Sequence, residues 1–321
     1  LKHTELPAAQ AAGYKPTAML GAALPESRIQ DVRITAMTGV SLPEVSSPGV
    51  ANSALCSGMA GMCAQGINVF SLMWMRTISI VQFRHGGGAF RVAAGLWREG
   101  GVRRFYRGLA PALVLAPLAR FGDTAANETA LAALQHSGLP IAAKTLAASA
   151  CAASLRVLLL PLDAWETMKQ VEGRDGLRRL VEKTRAHPTA LWQGASAAVC
   201  AAGMGHYTWF YTSNLLFAST QSLEARLGKH TRSALIGCTS GALSDLFTNS
   251  LVVLKTMRQT SLTTLSYTDA ARQVIRTEGL GGLFGRGLKV RMVTNSVQGG
   301  LFTVSWKAID GIFRRHLGLA G

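Results

Sequence analysis

The residues in this chain most able to do chemistry are charges set in apolar surroundings. Arg120 and Asp123 interrupt the apolar stretch Gly108–Leu134, and Lys144, Arg156, Asp163 and Glu166 interrupt Ile141–Met168. Asp245 and Lys255 lie within Ser233–Gln259, and Lys289, Arg291, Lys307 and Asp310 within Gly287–Ile312. Two more runs, Val50–Met75 and Ala186–Leu223, contain no Asp, Glu, Lys or Arg at all. A bilayer crossing needs ~20 mostly apolar residues in a helix, and a charge inside one normally faces a wet cavity or a partner. Signals of catalysis are missing. Gly86-Gly87-Gly88 follows no expected strand, and the stretch from Gly279 to Gly287 lacks the Lys-Ser/Thr of a phosphate-binding loop. No Ser/His/Asp or Cys/His set is placed to bring a nucleophile to a base. The five cysteines, Cys56, Cys63, Cys151, Cys200 and Cys238, have neither zinc-site nor disulfide-framework spacing. The chain is therefore not expected to be an enzyme, and no metal or cofactor is expected.

The elements that must position these charges are helices. Of 321 residues, 48% are hydrophobic and 16% charged, with Lys+Arg 33 against Asp+Glu 17 and a formal net charge of +16. A soluble domain carries about a quarter charged residues, and a disordered chain has far less apolar content. Six apolar segments, four of them holding charge, describe an all-α membrane protein built as a bundle around an aqueous cavity. The basic excess is concentrated in the connecting loops, at Arg103, Arg104, Arg107, Arg174, Arg178, Arg179, Lys183, Arg272 and Arg276. Positive-inside topology and attraction to anionic phospholipid explain that bias, so no nucleic-acid partner is expected. Residues 1–50 contain Pro7, Pro16, Pro25, Pro43 and Pro48 with little periodicity, the mark of an extended arm. No hydrophobic signal-peptide core precedes the first apolar run, which argues against the secretory route.

The segments repeat. Glu99-Gly100 leads to Phe105-Tyr106-Arg107-Gly108, Glu278-Gly279 leads to Phe284-Gly285-Arg286-Gly287, and Leu191-Trp192-Gln193-Gly194 takes the same place between them. Upstream of the second and third turns stand Pro161-Leu162-Asp163-Ala164-Trp165-Glu166 and Ser250-Leu251-Val252-Val253-Leu254-Lys255, with Phe70-Ser71-Leu72-Met73-Trp74-Met75 as a degraded first copy. Each unit reads as a span, a loop with a short amphipathic helix, an aromatic-basic-Gly turn and a second span. Pro161 removes a helix hydrogen bond and is expected to kink its span.

These motifs, three in register, resemble the mitochondrial carrier family over roughly Ser53 to Leu317. The resemblance implies six transmembrane helices in three pseudo-threefold repeats with short matrix-side helices, in the mitochondrial inner membrane. The units are then residues 51–136, 137–227 and 228–321, after the arm at 1–50. It implies a matrix gate in which Asp163 pairs with Lys255, while Glu166 stands where a base is expected and Leu72, Met75 and Val252 are apolar. Arg76, one residue past the first basic position, is a candidate partner for Glu166. The opposite gate is represented by Glu128, Lys307 and Asp310, with no standard pair. Solute contacts are implied at Gln65, Arg156 and Asp245, at one level of the bundle, and at Thr294 and Asn295. Arg120, Asp123, His206 and Gln298 stand slightly further along their helices. The turns at Arg107-Gly108, Trp192 with Gly194, and Arg286-Gly287 are expected to hold an anionic phospholipid such as cardiolipin. Two functions fit: alternating-access transport of a small, zwitterionic or weakly charged metabolite, or a transport-inactive carrier-like subunit of a respiratory-chain or ATP-synthase complex.

Overall fold

Among the described residues, nine α-helices fall into three sets of three. The structure, a computed structural model, describes residues 48–119, 141–220 and 228–316. In chain order the helices are α1 (Pro48–His85), α2 (Ala89–Phe105), α3 (109–119), α4 (Ile141–Glu172), α5 (Gly176–Ala186), α6 (Ala195–Ser219), α7 (Lys229–Thr260), α8 (Tyr267–Gly285) and α9 (Leu288–His316). Among the described residues there is no strand. Long helices open each set, short ones follow, and a glycine turn leads into the third member.

The short helices form because each has one apolar face to bury. In the first set Leu96 and Phe105 pack on Ile78 and Val81 of α1. In the second, Leu180 of α5 meets Ala164 and Met168 of α4. In the third, Ala270 and Val274 of α8 cover Val253 and Met257 of α7, with Phe83 of α1 closing the cluster. Every short helix thus lies against the C-terminal end of its own long helix. The three long helices α1, α4 and α7 touch one another pairwise, α6 packs along α7, and α9 packs along α1.

The turns expected at Gly108, Gly194 and Gly287 are present, with φ of 102°, 94° and 64°. Left-handed backbone is open to glycine at little cost and closed to most other residues. Close approach is a second reason for glycine. A Cβ on Gly108 would lie 3.1 Å from the Glu166 carbonyl oxygen, one on Gly194 3.3 Å from the Lys255 carbonyl, and one on Gly287 3.0 Å from the Ser79 carbonyl. Each turn therefore docks on the long helix of the next set, and the last docks on the first.

Two expectations need correction. The charge-free run Ala186–Leu223 is not one span: a 3₁₀ turn at Pro188–Trp192 and the left-handed Gly194 divide it, and α6 starts at Ala195. Nor, among the described residues, is any helix long and apolar enough to cross a membrane, so six apolar spans are not confirmed. The reason is visible in α1, which buries Gln65, Asn68, Thr77, Ser79 and Gln82 and so dilutes its own hydropathy. Pro161 lies inside the continuous helix α4, where it withholds the hydrogen bond that the Val157 carbonyl would accept.

Candidate gate and polar interior

The expected Asp163–Lys255 pair is formed. Lys255 Nζ on α7 lies 2.6 Å from Asp163 Oδ2 on α4, with both side chains mostly covered. It also donates to Asp163 Oδ1 at 2.8 Å, and Gln259, one turn beyond Lys255, donates from Nε2 to Asp163 Oδ2 at 2.7 Å. Glu166 is buried on the same helix and accepts from Gln170 Nε2 at 3.0 Å. Gln170 and Gln259 escaped the sequence reading, although they sit at equal distances past Pro161 and Ser250. Their shared position in the repeat was the available signal.

The C-terminal ends of the long helices are where unpaired carbonyls accumulate. Each end receives a basic side chain. Arg104, 2% exposed, donates from Nη1 to the Gln170 carbonyl and from Nη2 to the Val171 carbonyl, both at 2.8 Å, while its Nε pairs with Glu99 at 2.6 Å. Lys183 donates to the carbonyls of Arg258 and Gln259, each at 2.9 Å. Arg286 reaches the Arg84 carbonyl at 3.5 Å and pairs with Glu278 at 3.0 Å. These cations complement the negative ends of the helix dipoles. Burial, with Arg84 and Arg258 nearby, lowers the Lys183 amine to about 8.

The acidic-Gly motifs acquire a physical role here. Glu99 precedes the break at Gly100 and Gly101 and turns back onto Arg104; Glu278 precedes the left-handed Gly279 and turns back onto Arg286. Arg286, expected to face a lipid, spends its donors on Glu278, Thr277 and the Arg84 carbonyl. Arg107 is only partly buried beside its turn, and Trp192 is 43% exposed.

The expected solute contacts divide. Asp245, 4% exposed on α7, does not take Arg156 as its partner. Arg291 of α9 pairs with it at 2.9 Å, and Asn295 Nδ2 donates to its two oxygens at 2.9 and 2.8 Å. Arg291 also donates to Thr248 at 3.0 Å. Asp245 and Asn295 thus meet each other, in a clasp between α7 and α9. Thr294 is buried and donates to the Val290 carbonyl within its own helix. Gln65 is 5% exposed and its Oε1 accepts no hydrogen bond, and neither polar atom of Asn68 has a partner. Arg156 is exposed on α4, while His206 and Gln298 are half-buried on α6 and α9. Asp310 is buried near the end of α9. Arg120, Asp123, Glu128 and the side chain of Lys307 lie outside the described residues.

Threefold sets of long helix, short helix and glycine turn, locked by an ion pair between neighbouring long helices, define a class. The sequence matches the family described as "Mitochondrial carrier protein" over residues 46–138 and 228–317. The chain belongs to the mitochondrial carrier family, whose members are transporters of mitochondrial membranes rather than enzymes. No individual curated protein matches it. The match skips the middle set, the one whose turn lacks both the acidic-Gly pair and the basic residue before Gly194.

Proposed function

We propose that this carrier moves a small, zwitterionic or weakly charged metabolite across the mitochondrial inner membrane by alternating access. The observation that carries the reading is the Asp163–Lys255 pair, which ties α4 to α7 with Gln259 beneath it. Such a pair closes one end of the bundle and can be exchanged for contacts at the other, at a cost of about 0.2–1 kcal/mol when solvated. The distribution of polarity supports it: Leu158, Tyr207 and Val304 are each more than two-thirds exposed while Asn68, Asp245, Thr248 and Asn249 are buried. A soluble protein arranges these the other way, whereas a bundle in lipid turns polar groups toward its own interior. Gln65, Asn68 and Arg156 are the groups offered to a solute. The end carrying α2, α5 and α8 faces the matrix, and anionic phospholipid such as cardiolipin seats against the glycine turns, at Arg107 rather than Arg286.

The test is uptake of labelled amino acids, carboxylates and nucleotides into cardiolipin-containing liposomes carrying the full chain. Accumulation of one class, abolished by Arg156→Ala and reduced by Lys255→Met, is expected. The interlocked Asp245–Arg291 clasp, which holds two charges away from any solute, favours a second reading: a transport-inactive subunit of a respiratory-chain or ATP-synthase complex. Inert vesicles, with co-purification at fixed stoichiometry with such a complex, would establish that reading instead.

A further inference from the structure

The long helix of the first repeat lacks the motif proline that would fix its register, but the glycine turns fix it instead. Gly108, Gly194 and Gly287 press on the carbonyls of Glu166, Lys255 and Ser79 respectively. Those three residues therefore share one slot of the threefold arrangement, and the residues three earlier, Asp163, Val252 and Arg76, share another. This places Arg76 where the spacing of the sequence had put Leu72, one helical turn away. Side chains agree with the backbone: Gly108 presses on Gln170, four past Glu166, and Gly287 presses on Phe83, four past Ser79.

In the pair that is formed, the earlier slot of α4 meets the later slot of α7. Threefold repetition brings Val252 of α7 to Ser79 of α1, a neutral meeting, and Arg76 of α1 to Glu166 of α4. We propose that Arg76 and Glu166 form a second interhelical ion pair of the gate, with its charges reversed relative to Asp163–Lys255. Gln170 Nε2 lies 3.9 Å from Met73 Sδ, so the turn of α1 that carries Arg76 abuts the turn of α4 that carries Glu166. The glutamines follow the carboxylates. Gln259 donates across to Asp163, and Gln170 donates along its own helix to Glu166, because reversal has moved the acid onto the helix of the glutamine. A buried carboxylate beside a second one needs a cation of its own, and Lys255 is already committed to Asp163. The acid at the expected base position is on this reading a compensated exchange rather than an eroded pair.

The inference deepens the gate proposed above, and its test measures folding and proximity, so it stands or falls independently of transport. Full-length protein in detergent carries Arg76→Gln, Glu166→Gln or both, and in parallel Arg76→Glu, Glu166→Arg or both. Each single variant is expected to lower the melting temperature by about 3 °C or more, and the exchange R76E/E166R to recover at least half the loss of its worse parent. Additive losses in the exchange, or singles that leave melting unchanged, would overturn the pair. Cysteines at 76 and 166, in a chain cleared of its five native cysteines, should be joined by a short bis-thiol reagent, and cysteines at 72 and 166 should not. Cross-linking at 72 and not at 76 would restore the register read from the sequence and reject the proposal.

Discussion

Replacing Gly287 by alanine tests the docking of each repeat on the next. The backbone there has φ of 64°, and the added Cβ would stand 2.5 Å from Phe83 Cε1, 2.7 Å from Phe83 Cδ1 and 3.0 Å from the Ser79 carbonyl. Left-handed backbone costs a non-glycine residue about 1–2 kcal/mol. Forcing a methyl into a filled contact costs about 1–3 kcal/mol more. The sum, about 2–5 kcal/mol, translates into a melting temperature lowered by about 4–20 °C at about 2–4 °C per kcal/mol. Thermal unfolding in detergent, followed by the circular-dichroism signal of the helices, measures this directly. Gly299→Ala is the control, since nothing lies within 4 Å of a Cβ there and α9 is helical at that point. It should hold or gain stability by about 0.5–1 kcal/mol. Combining Gly287→Ala with Phe83→Ala should lose less than the two singles added, because the ring that is struck has gone. A Gly287→Ala protein melting within about 1 °C of the parent would refute the docking argument and the register built on it.

Three further outcomes follow from the same geometry. Folding lowers Lys183 from 10.5 to about 8, so the unfolded chain binds more protons than the folded one between those values. Stability should therefore rise with pH through that window, and the slope should flatten in Lys183→Met; an unchanged slope contradicts the assignment. A neutral amine keeps two N–H groups for the Arg258 and Gln259 carbonyls, so the contact survives the loss of charge. Arg291→Met leaves Asp245 buried without its cation and should cost about 3–5 kcal/mol, with Asp245→Asn milder and the double variant milder than Arg291→Met, all read by melting. Arg104→Met strands the Gln170 and Val171 carbonyls and should lower stability by about 2–6 kcal/mol at about 1–3 kcal/mol for each buried group left unsatisfied; a loss under about 1 kcal/mol would show that water reaches them.

The glycine turns were legible in the sequence because left-handed backbone and close approach demand one residue type, and that demand repeats. Asp163–Lys255 was legible for a similar reason, since two residues hold the same places in successive repeats. The first repeat was misaligned by a turn because neither the motif's proline nor its acid survives in α1, and the contact of Gly287 with Ser79 restores the alignment. The caps on the long helices were hidden because Arg104 and Lys183 occupy different positions relative to their glycine turns while reaching equivalent carbonyls. Asp245 was placed at one level with Gln65 and Arg156 as a solute contact; its partner Arg291 lies on an even helix, where no repeat pattern pointed to it. The short basic helices were read as lipid-facing from charge alone, yet several of those charges turn inward.

The packing of α9 along α1 joins the last helix to the first, with Arg286 and the Arg84 carbonyl 202 residues apart in the chain. A ring that closes in this way has no finished edge until α9 has been made. Because α1 is made well before α9, its flank stays without this neighbour for most of the interval between them, and lipid or a helper must shield it meanwhile. Losing α9 would accordingly be felt some two hundred residues earlier in the chain, as a loosened α1 rather than a local fraying.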